Sequence, residues 1–373
     1  MARIALDARN ITQTPAGVAR YAMALIPQLI AQAPQHEWVV LRHDSNLKSL
    51  GVDAREIFVS RHIDGLDNYL QGRKDVAFMT QRVGPVDLFH DLFHILPRGL
   101  PKSLKTVVTL HDLVWIDHAD ASQPTWLKAR SIEAFASLAI PATLRRANHI
   151  ISVSKPTADR ALEWVSADKM TVVMHGVDPT FAEPKLPADE IVTHLTKDGR
   201  RYIVAVGNAK PYKNLARLVR AWHHMRSAVP GLRLCLIGDC KALWPEAEAL
   251  GVAPEDLVMP GFLDDTDLRR LVSNASLFVF PSLVEGFGLP TLEAMAAGVP
   301  CVVSDREPMA TVAGNAALKV DALDEHALAE AMTRVLVDGE LHRALVELGR
   351  AHAATFTWEK AAAQTLAVYD QVL

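Results

Sequence analysis

Three observations predict an α/β chain of two doubly wound parallel-sheet domains. Short, wholly apolar runs alternate with segments of helical spacing along most of the sequence, the pattern of parallel strands covered on both faces by helices. The alternation breaks at DPTFAEPKLPADE (178–190), where three prolines stand among polar residues, and then restarts. The 373 residues are also more than one core usually organises, since domains hold roughly 100–200.

In the first half, ARIAL, EWVVL, KTVVTL, HIISVS and MTVVMH read as buried strands, and VARYAMALIPQLIAQA and PTADRALEWV as helices. Ser154 before Lys155-Pro156 sets an N-cap and an early proline, so HIISVS feeds directly into a helix. After the proline-rich break, RYIVAVG, LRLCLIG, LVMPG, SLFVFPS and PCVVSD read as strands, with LARLVRAWHHM, DLRRLVSNA and TLEAMAAG as helices between them. Beyond residue 324 the chain is helical with one break near Asp338-Gly339, and TWEKAAAQTLAVYDQVL has apolar positions on more than one side. The expected division is 1–180, 181–357, and a final helix 358–373 packing back on the first domain. Open α/β sheets bind ligands beyond the C-terminal ends of their strands. Two such sheets facing across a cleft suit a ligand in two parts.

Composition narrows the function. Half of the residues are hydrophobic and 22% are charged, which fits a folded soluble protein. The net charge of −4 argues against a nucleic-acid partner. No run approaches the ~20 apolar residues of a membrane span, and MARIALDARN reads as a first strand rather than a signal peptide, so a cytoplasmic location is expected. Cys235, Cys240 and Cys301 lack C-x-x-C spacing, so neither a disulfide framework nor a cysteine zinc site is indicated.

The chemistry concentrates in two loops. In PSLVEGFGLPTLEAMAAGVP (281–300) a strand turns at Pro281-Ser282, Gly286 and Gly288 free the backbone, and Pro290 opens a helix that Gly298 and Pro300 end. Amides at that helix N-terminus suit an anionic or polyhydroxyl ligand. Glu285 before the helix and Glu293 in its first turns can accept the paired donors of sugar hydroxyls. Each glutamate alone reads equally as a solvated loop acid or a dipole partner. The second loop, GNAKPYKNLARLV, follows strand RYIVAVG and carries Lys210 and Lys213 at a helix N-terminus. Cations there oppose the dipole unless a phosphate binds. Together the loops meet the demands of a nucleotide-sugar.

The E-x7-E element EGFGLPTLE, the G-x-x-K-P-x-K-N loop, TLHDL (109–113), HGVD (175–178) and AGVARY occur in the order of the retaining GT-B glycosyltransferases of family four. The sequence resembles that family over nearly its whole length, and within it the bacterial mannosyltransferases of polysaccharide and O-antigen synthesis. The resemblance implies a GT-B fold, two Rossmann-like domains facing across a cleft. It implies that Glu285 binds donor-sugar hydroxyls with the amides of Phe287, Gly288 and Leu289, that Glu293 binds the ribose, and that Lys213 grips the diphosphate. Gly17 would approach the phosphates from the first domain, and His111 would lie beside the donor sugar. Asp112 would support that loop or simply cap the turn after the strand. Asn208 stands where the family often carries arginine, as does Tyr212, and Lys210 compensates. A nucleotide-sugar donor, GDP-mannose first and a UDP-sugar second, and a glycan or lipid-linked saccharide acceptor are implied, with peripheral contact at the inner membrane face.

Two metal patterns are weighed and set aside. His90 and His94 in DLFHDLFHILP are four apart, a helical zinc spacing, but the Leu-Phe repeats also read as a strand end and core and the accompanying glutamate is absent; the resemblance implies instead that His90 lines the acceptor site. Asp265-x-Asp267 reads as the capped start of a helix. No cofactor and no metal are therefore expected. The resemblance to a retaining family, with no carboxylate securely beside the anomeric carbon for a double displacement, implies a same-face, oxocarbenium-like transfer. A GT-B epimerase or phosphorylase and a non-catalytic sugar-binding protein are the rival readings. An NAD enzyme is disfavoured because the first strand lacks a following G-x-G-x-x-G.

Overall fold

The computed structural model describes residues 1–11, 17–43, 49–58, 81–123 and 125–373. Ala16 of the AGVARY segment lies outside them. The chain forms two compact units: Met1–Ala119, Leu127–Gly176 and Thr357–Leu373 make the first, and Asp120–Trp126 with Val177–Phe356 the second. The last helix, Trp358–Val372, is thus part of the first unit. The first unit ends at Gly176, ahead of the proline-rich stretch.

Unit 1 contains β1 (Arg3–Asp7), β2 (Glu37–Arg42), β3 (Arg55–Phe58), β4 (Leu88–Asp91), β5 (Lys105–Leu110), β6 (His149–Ser152) and β7 (Met170–Val172). All pair in parallel in the order β3-β2-β1-β4-β5-β6-β7. The side-chain period of two divides each strand between two cores. Ile4, Leu6, Trp38 and Val40 join one cluster with Tyr21, Leu25, Trp358 and Tyr369, while Ala5, Val39 and Leu41 join the opposite one with Phe89, Leu110 and Ile140. The first cluster is built by the helices Val18–Gln32 and Trp358–Val372, so the last segment of the chain completes a core begun by the first strand.

Unit 2 contains β8 (Tyr202–Val206), β9 (Arg233–Ile237), β10 (Leu257–Gly261), β11 (Leu277–Phe280), β12 (Cys301–Ser304) and β13 (Leu318–Val320), in the order β10-β9-β8-β11-β12-β13. Its core packs Ile203, Leu234, Leu236 and Val279 against Leu218, Trp222 and Met332. In both sheets the strand order reverses beside the first strand, between β1 and β4 and between β8 and β11. These are the points where open α/β sheets leave a crevice at their C-terminal edge.

The stretch 178–190, expected as a linker, is instead a fixed part of unit 2. Proline residues donate no amide but keep strong carbonyl acceptors, and helix Asp265–Ser273 supplies the donors: Arg269 to Pro184 O (2.9 Å) and Arg270 to Pro187 O (3.1 Å), with Asn274 at its end donating to Leu186 O (3.2 Å). The start of that helix explains the D-x-D. Asp264 caps it by accepting from Asp267 N (2.8 Å), and Asp267 in turn pairs with Arg270.

Candidate active site

In unit 2 the candidate residues stand on the loops that leave β8 and β11. After β8, Lys210 opens a 3-10 turn, Pro211–Lys213, and Asn214 adopts a left-handed conformation (φ 59°) at the start of helix Leu215–Met225. After β11, the chain runs through Glu285 to Gly288, whose φ of 99° favours glycine, and into helix Leu289–Ala296. Three contacts join the two loops. Leu283 N donates to Tyr212 O (2.8 Å), Asn214 Nδ2 donates to Pro281 O (3.1 Å), and Lys213 Nζ meets Glu285 Oε1 at 2.6 Å. Asn214 Nδ2 also reaches Ala322 O (2.7 Å).

Lys213 and Glu285, singled out for different parts of a ligand, are therefore an ion pair, with side chains 16% and 14% exposed. The lysine ammonium also lies 5.5 Å from the Phe280 ring and 5.4 Å from that of Tyr212, close enough for cation–π attraction. Glu293 is buried on the second turn of helix Leu289–Ala296. Phe287 buries its ring against Phe356 (6.3 Å). Asn208 Oδ1 accepts from Lys210 N (3.1 Å), tightening the loop, while Lys210 itself is exposed.

In unit 1, His111 follows β5 and is buried. Its Nε2 lies 2.8 Å from Leu92 O. A carbonyl only accepts, so Nε2 carries the proton and Nδ1 presents a lone pair. Burial holds this imidazole down to about 4, so it is neutral at pH 7 and serves as an acceptor rather than a cation. The ring stands edge-on to Tyr21 (4.8 Å) and 6.0 Å from His175, which stacks on Trp358 at 5.6 Å. A Cβ on Gly176 would fall 2.1 Å from Trp358 N, so the glycine of HGVD is required by this close approach. Asp112 Oδ1 accepts from Val114 N (3.0 Å) and so caps the turn after the strand. Gly17 begins helix Val18–Gln32 at φ 51°, with no heavy atom within 4 Å of where a Cβ would stand.

His90 requires a correction. Expected to line an acceptor site, it is wholly buried on β4, with Nδ1 2.5 Å from the Tyr369 hydroxyl and Nε2 2.9 Å from Thr109 Oγ1. Both nitrogens are engaged, so the ring has no polar atom left for a ligand. Nor do His90 and His94 share a helical face: the first ends a strand and the second lies in the loop beyond it. Asn214 and the buried Asp7–Arg9 pair, bonded at 2.7 Å and 2.5 Å, were not singled out by sequence. A polar residue closing the loop after β8, and a charged D-x-R at the end of a buried strand, were the available signals.

Profiles of two families match the chain. One, described as glycosyl transferases group 1, covers residues 188–352, and the other, glycosyltransferase family 4, covers 15–181. Together they account for nearly all of both units. The chain belongs to this family of glycosyltransferases and has the GT-B fold. It is similar to the serotype-specific mannosyltransferase WbdA of Escherichia coli, 26% identical over 279 residues, 72% of this chain and 34% of that protein. It is likewise similar to the MMP alpha-(1->4)-mannosyltransferase of Mycolicibacterium hassiacum, 28% identical over 79% of this chain and 73% of that protein. Among solved structures, sucrose-phosphate synthase of Thermosynechococcus elongatus matches with a TM-score of 0.78 at 20% identity, covering 100% of this chain and 99% of that one. The chain spans 34% of WbdA and so corresponds to only part of that relative.

Proposed function

We propose that the protein is a retaining hexosyltransferase that moves mannose from GDP-mannose onto a glycan or lipid-linked oligosaccharide. The observation that carries this reading is the Lys213–Glu285 pair at the β8–β11 crevice. One cation and one carboxylate, each mostly withdrawn from water and fixed by the same two loops, match a diphosphate joined to a sugar. On donor binding, Lys213 and the first amides of helix Leu289–Ala296 take the charge developing on the departing diphosphate, and Glu285 accepts from sugar hydroxyls. His111, neutral with its free lone pair on Nδ1, accepts from a further donor-sugar hydroxyl. The departing phosphate then deprotonates the acceptor on the same face. The mannosyltransferase relatives favour mannose and an acceptor that is itself a saccharide. A lipid-bearing acceptor would bring the protein to the inner membrane face as a peripheral visitor; among the described residues no helix is long and apolar enough to cross a membrane.

The test is thermal stabilisation by GDP-, UDP-, ADP- and dTDP-sugars, followed by NMR of the product formed from the donor that binds. A ligand at 100 times its Kd adds about 2.7 kcal/mol. GDP-mannose should give the largest shift and an α-linked mannoside. Transfer solely from a UDP-sugar would overturn the donor, and an inverted product would overturn the mechanism.

A further inference from the structure

We propose that Phe356 is a positioning residue of the donor loop: its ring fixes Phe287 and so sets where the backbone amides around Gly288 point, and with them the affinity for a nucleoside diphosphate. The inference rests on the donor reading above and gives a role to a residue outside both donor loops. The need for an anchor follows from the sequence. Phe287 stands between Gly286 and Gly288, and glycine leaves the backbone its widest choice of conformation. Gly288 uses that freedom at φ 99°, where it begins helix Leu289–Ala296. A Cβ built there would meet only the side chains of Met309 and Phe280, both at 3.8 Å, so close packing on Gly288 does not hold the turn. An orientation that the backbone leaves open is then fixed by the side chain between the two glycines.

That side chain is buried and meets the Phe356 ring edge to face, with centroids 6.3 Å apart and planes at 65°, a geometry in which aromatic rings attract. Phe356 is itself held. Its ring stands edge-on to His352 at 5.1 Å. His352 Nε2 lies 2.8 Å from Val312 O, so this nitrogen carries the proton, and its ring packs so closely that a Cβ on Gly314 would come within 3.1 Å of Cε1. The Phe356 backbone is fixed as well: its N donates to Ala353 O (3.0 Å) and its O accepts from Val177 N (3.0 Å). Val177 and Phe356 are the first and last residues of the main segment of unit 2, so the two ends of that segment are fastened to each other and present the ring from a closed joint.

Simple space-filling is the rival role, and the position of Phe356 argues against it. The ring is partly exposed and stands outside the main apolar cluster of unit 2, so its loss bears on the loop it touches more than on the core. The two ends of the loop also differ in kind. Glu285, two residues before Phe287, is held by Lys213, and an ion pair can exchange its partner for a charged or hydroxylated ligand. Two hydrocarbon rings have no polar atom to exchange. The Phe287–Phe356 contact is therefore the fixed end from which the exchangeable end is placed.

The experiment uses the full chain. Affinity for GDP, with UDP in parallel, is measured by calorimetry on the parent, Phe356→Leu, Phe287→Leu and the double variant. Leucine keeps an apolar side chain and removes the ring pair, an effect of about 2- to 12-fold. Each single change should weaken the nucleotide by that factor, and the double variant by no more than the weaker-binding single. Labelling with 15N-glycine gives a second readout: Phe356→Leu should move the amide signals of Gly286 and Gly288. Val335→Ala, in the core cluster that contains neither ring, controls for general loosening. It should lower the melting temperature at least as far as Phe356→Leu does, yet leave nucleotide affinity and both glycine signals as in the parent. Unchanged affinity in Phe356→Leu, losses that multiply in the double variant, or an equal loss in Val335→Ala would overturn the role. If the parent binds neither nucleotide, the transferase reading falls, and the Gly286 and Gly288 signals alone decide whether Phe356 sets the loop.

Discussion

Lys213 and Glu285 are partners of each other, and the proposed donor role requires them to become partners of a ligand. The two therefore separate in kinetics. A charged hydrogen bond is worth roughly 1.5–3 kcal/mol, about 10- to 150-fold in rate or affinity. Glu285→Ala should lower kcat/KM by that factor while the protein stays folded; undiminished activity would remove Glu285 from the donor site. Lys213→Ala should weaken free nucleoside diphosphate by a similar factor, read by calorimetry, and unchanged affinity would count against a phosphate role. The buried histidines make a second prediction. Burial depresses His90 to about 3 and His94 and His111 to about 4, below the unfolded value of about 6.5. Their contribution to stability is therefore present above pH 6.5 and is lost as pH falls toward 4, by about 1.4 kcal/mol per histidine per pH unit. Thermal melts should show His94→Gln with a shallower loss over that window than the parent. Parallel profiles would refute it. Sequence showed that these histidines stand near a strand end, but not which one is satisfied, because the partner of His90 is Tyr369, 279 positions away.

At the scale of elements, the helix starts and the long strands were legible because their causes are local. Ser154 caps Lys155–Ala161 by accepting from Thr157 N as its position suggests, and the break at Asp338-Gly339 is a cap shared by two helices. β3 and β13 were not legible. They are four and three residues long, so no apolar run announces them; their partners in the sheet make them strands. The joint between the two donor loops was equally hidden, since Asn214 bonds to Pro281 and Ala322, far from it in sequence. Asn214→Gly keeps access to the left-handed backbone but removes those bonds. It should weaken nucleoside diphosphate binding several-fold with Lys213 and Glu285 both intact, where full retention would mean that the loops hold their register without it.

For the molecule as a whole, the charge available at the donor loops bears on metal dependence. Divalent ions in transferases neutralise the leaving diphosphate. On the proposed reading Lys213, Lys210 and the amides at the start of helix Leu289–Ala296 would offer the same service, so activity should survive exhaustive chelation with EDTA. Loss on chelation and full recovery with Mg²⁺ or Mn²⁺ would overturn that expectation. The fold class was readable from the repeated strand–helix alternation alone. What was not readable is that the proline-rich stretch is held in place, because the arginines that tie down Pro184 and Pro187 come from a helix about 80 residues later, with separations of 85 and 83.

The membership of Thr357–Leu373 in unit 1 sets an order for biosynthesis. A ribosome makes the N-terminal strands first, yet Trp358 and Tyr369, which fill the core beneath them, are translated only after the whole of unit 2. Through most of translation the nascent first unit has an unfilled apolar layer, while residues 177–356 can emerge and fold ahead of it. Domains usually fold from the N-terminus as they are made; the late arrival of these core residues predicts the reverse order here. A polypeptide stopped after Phe356 should therefore yield a protected second unit and a first unit open to protease and to chaperones, and equal protection of both would show that the late helix is dispensable.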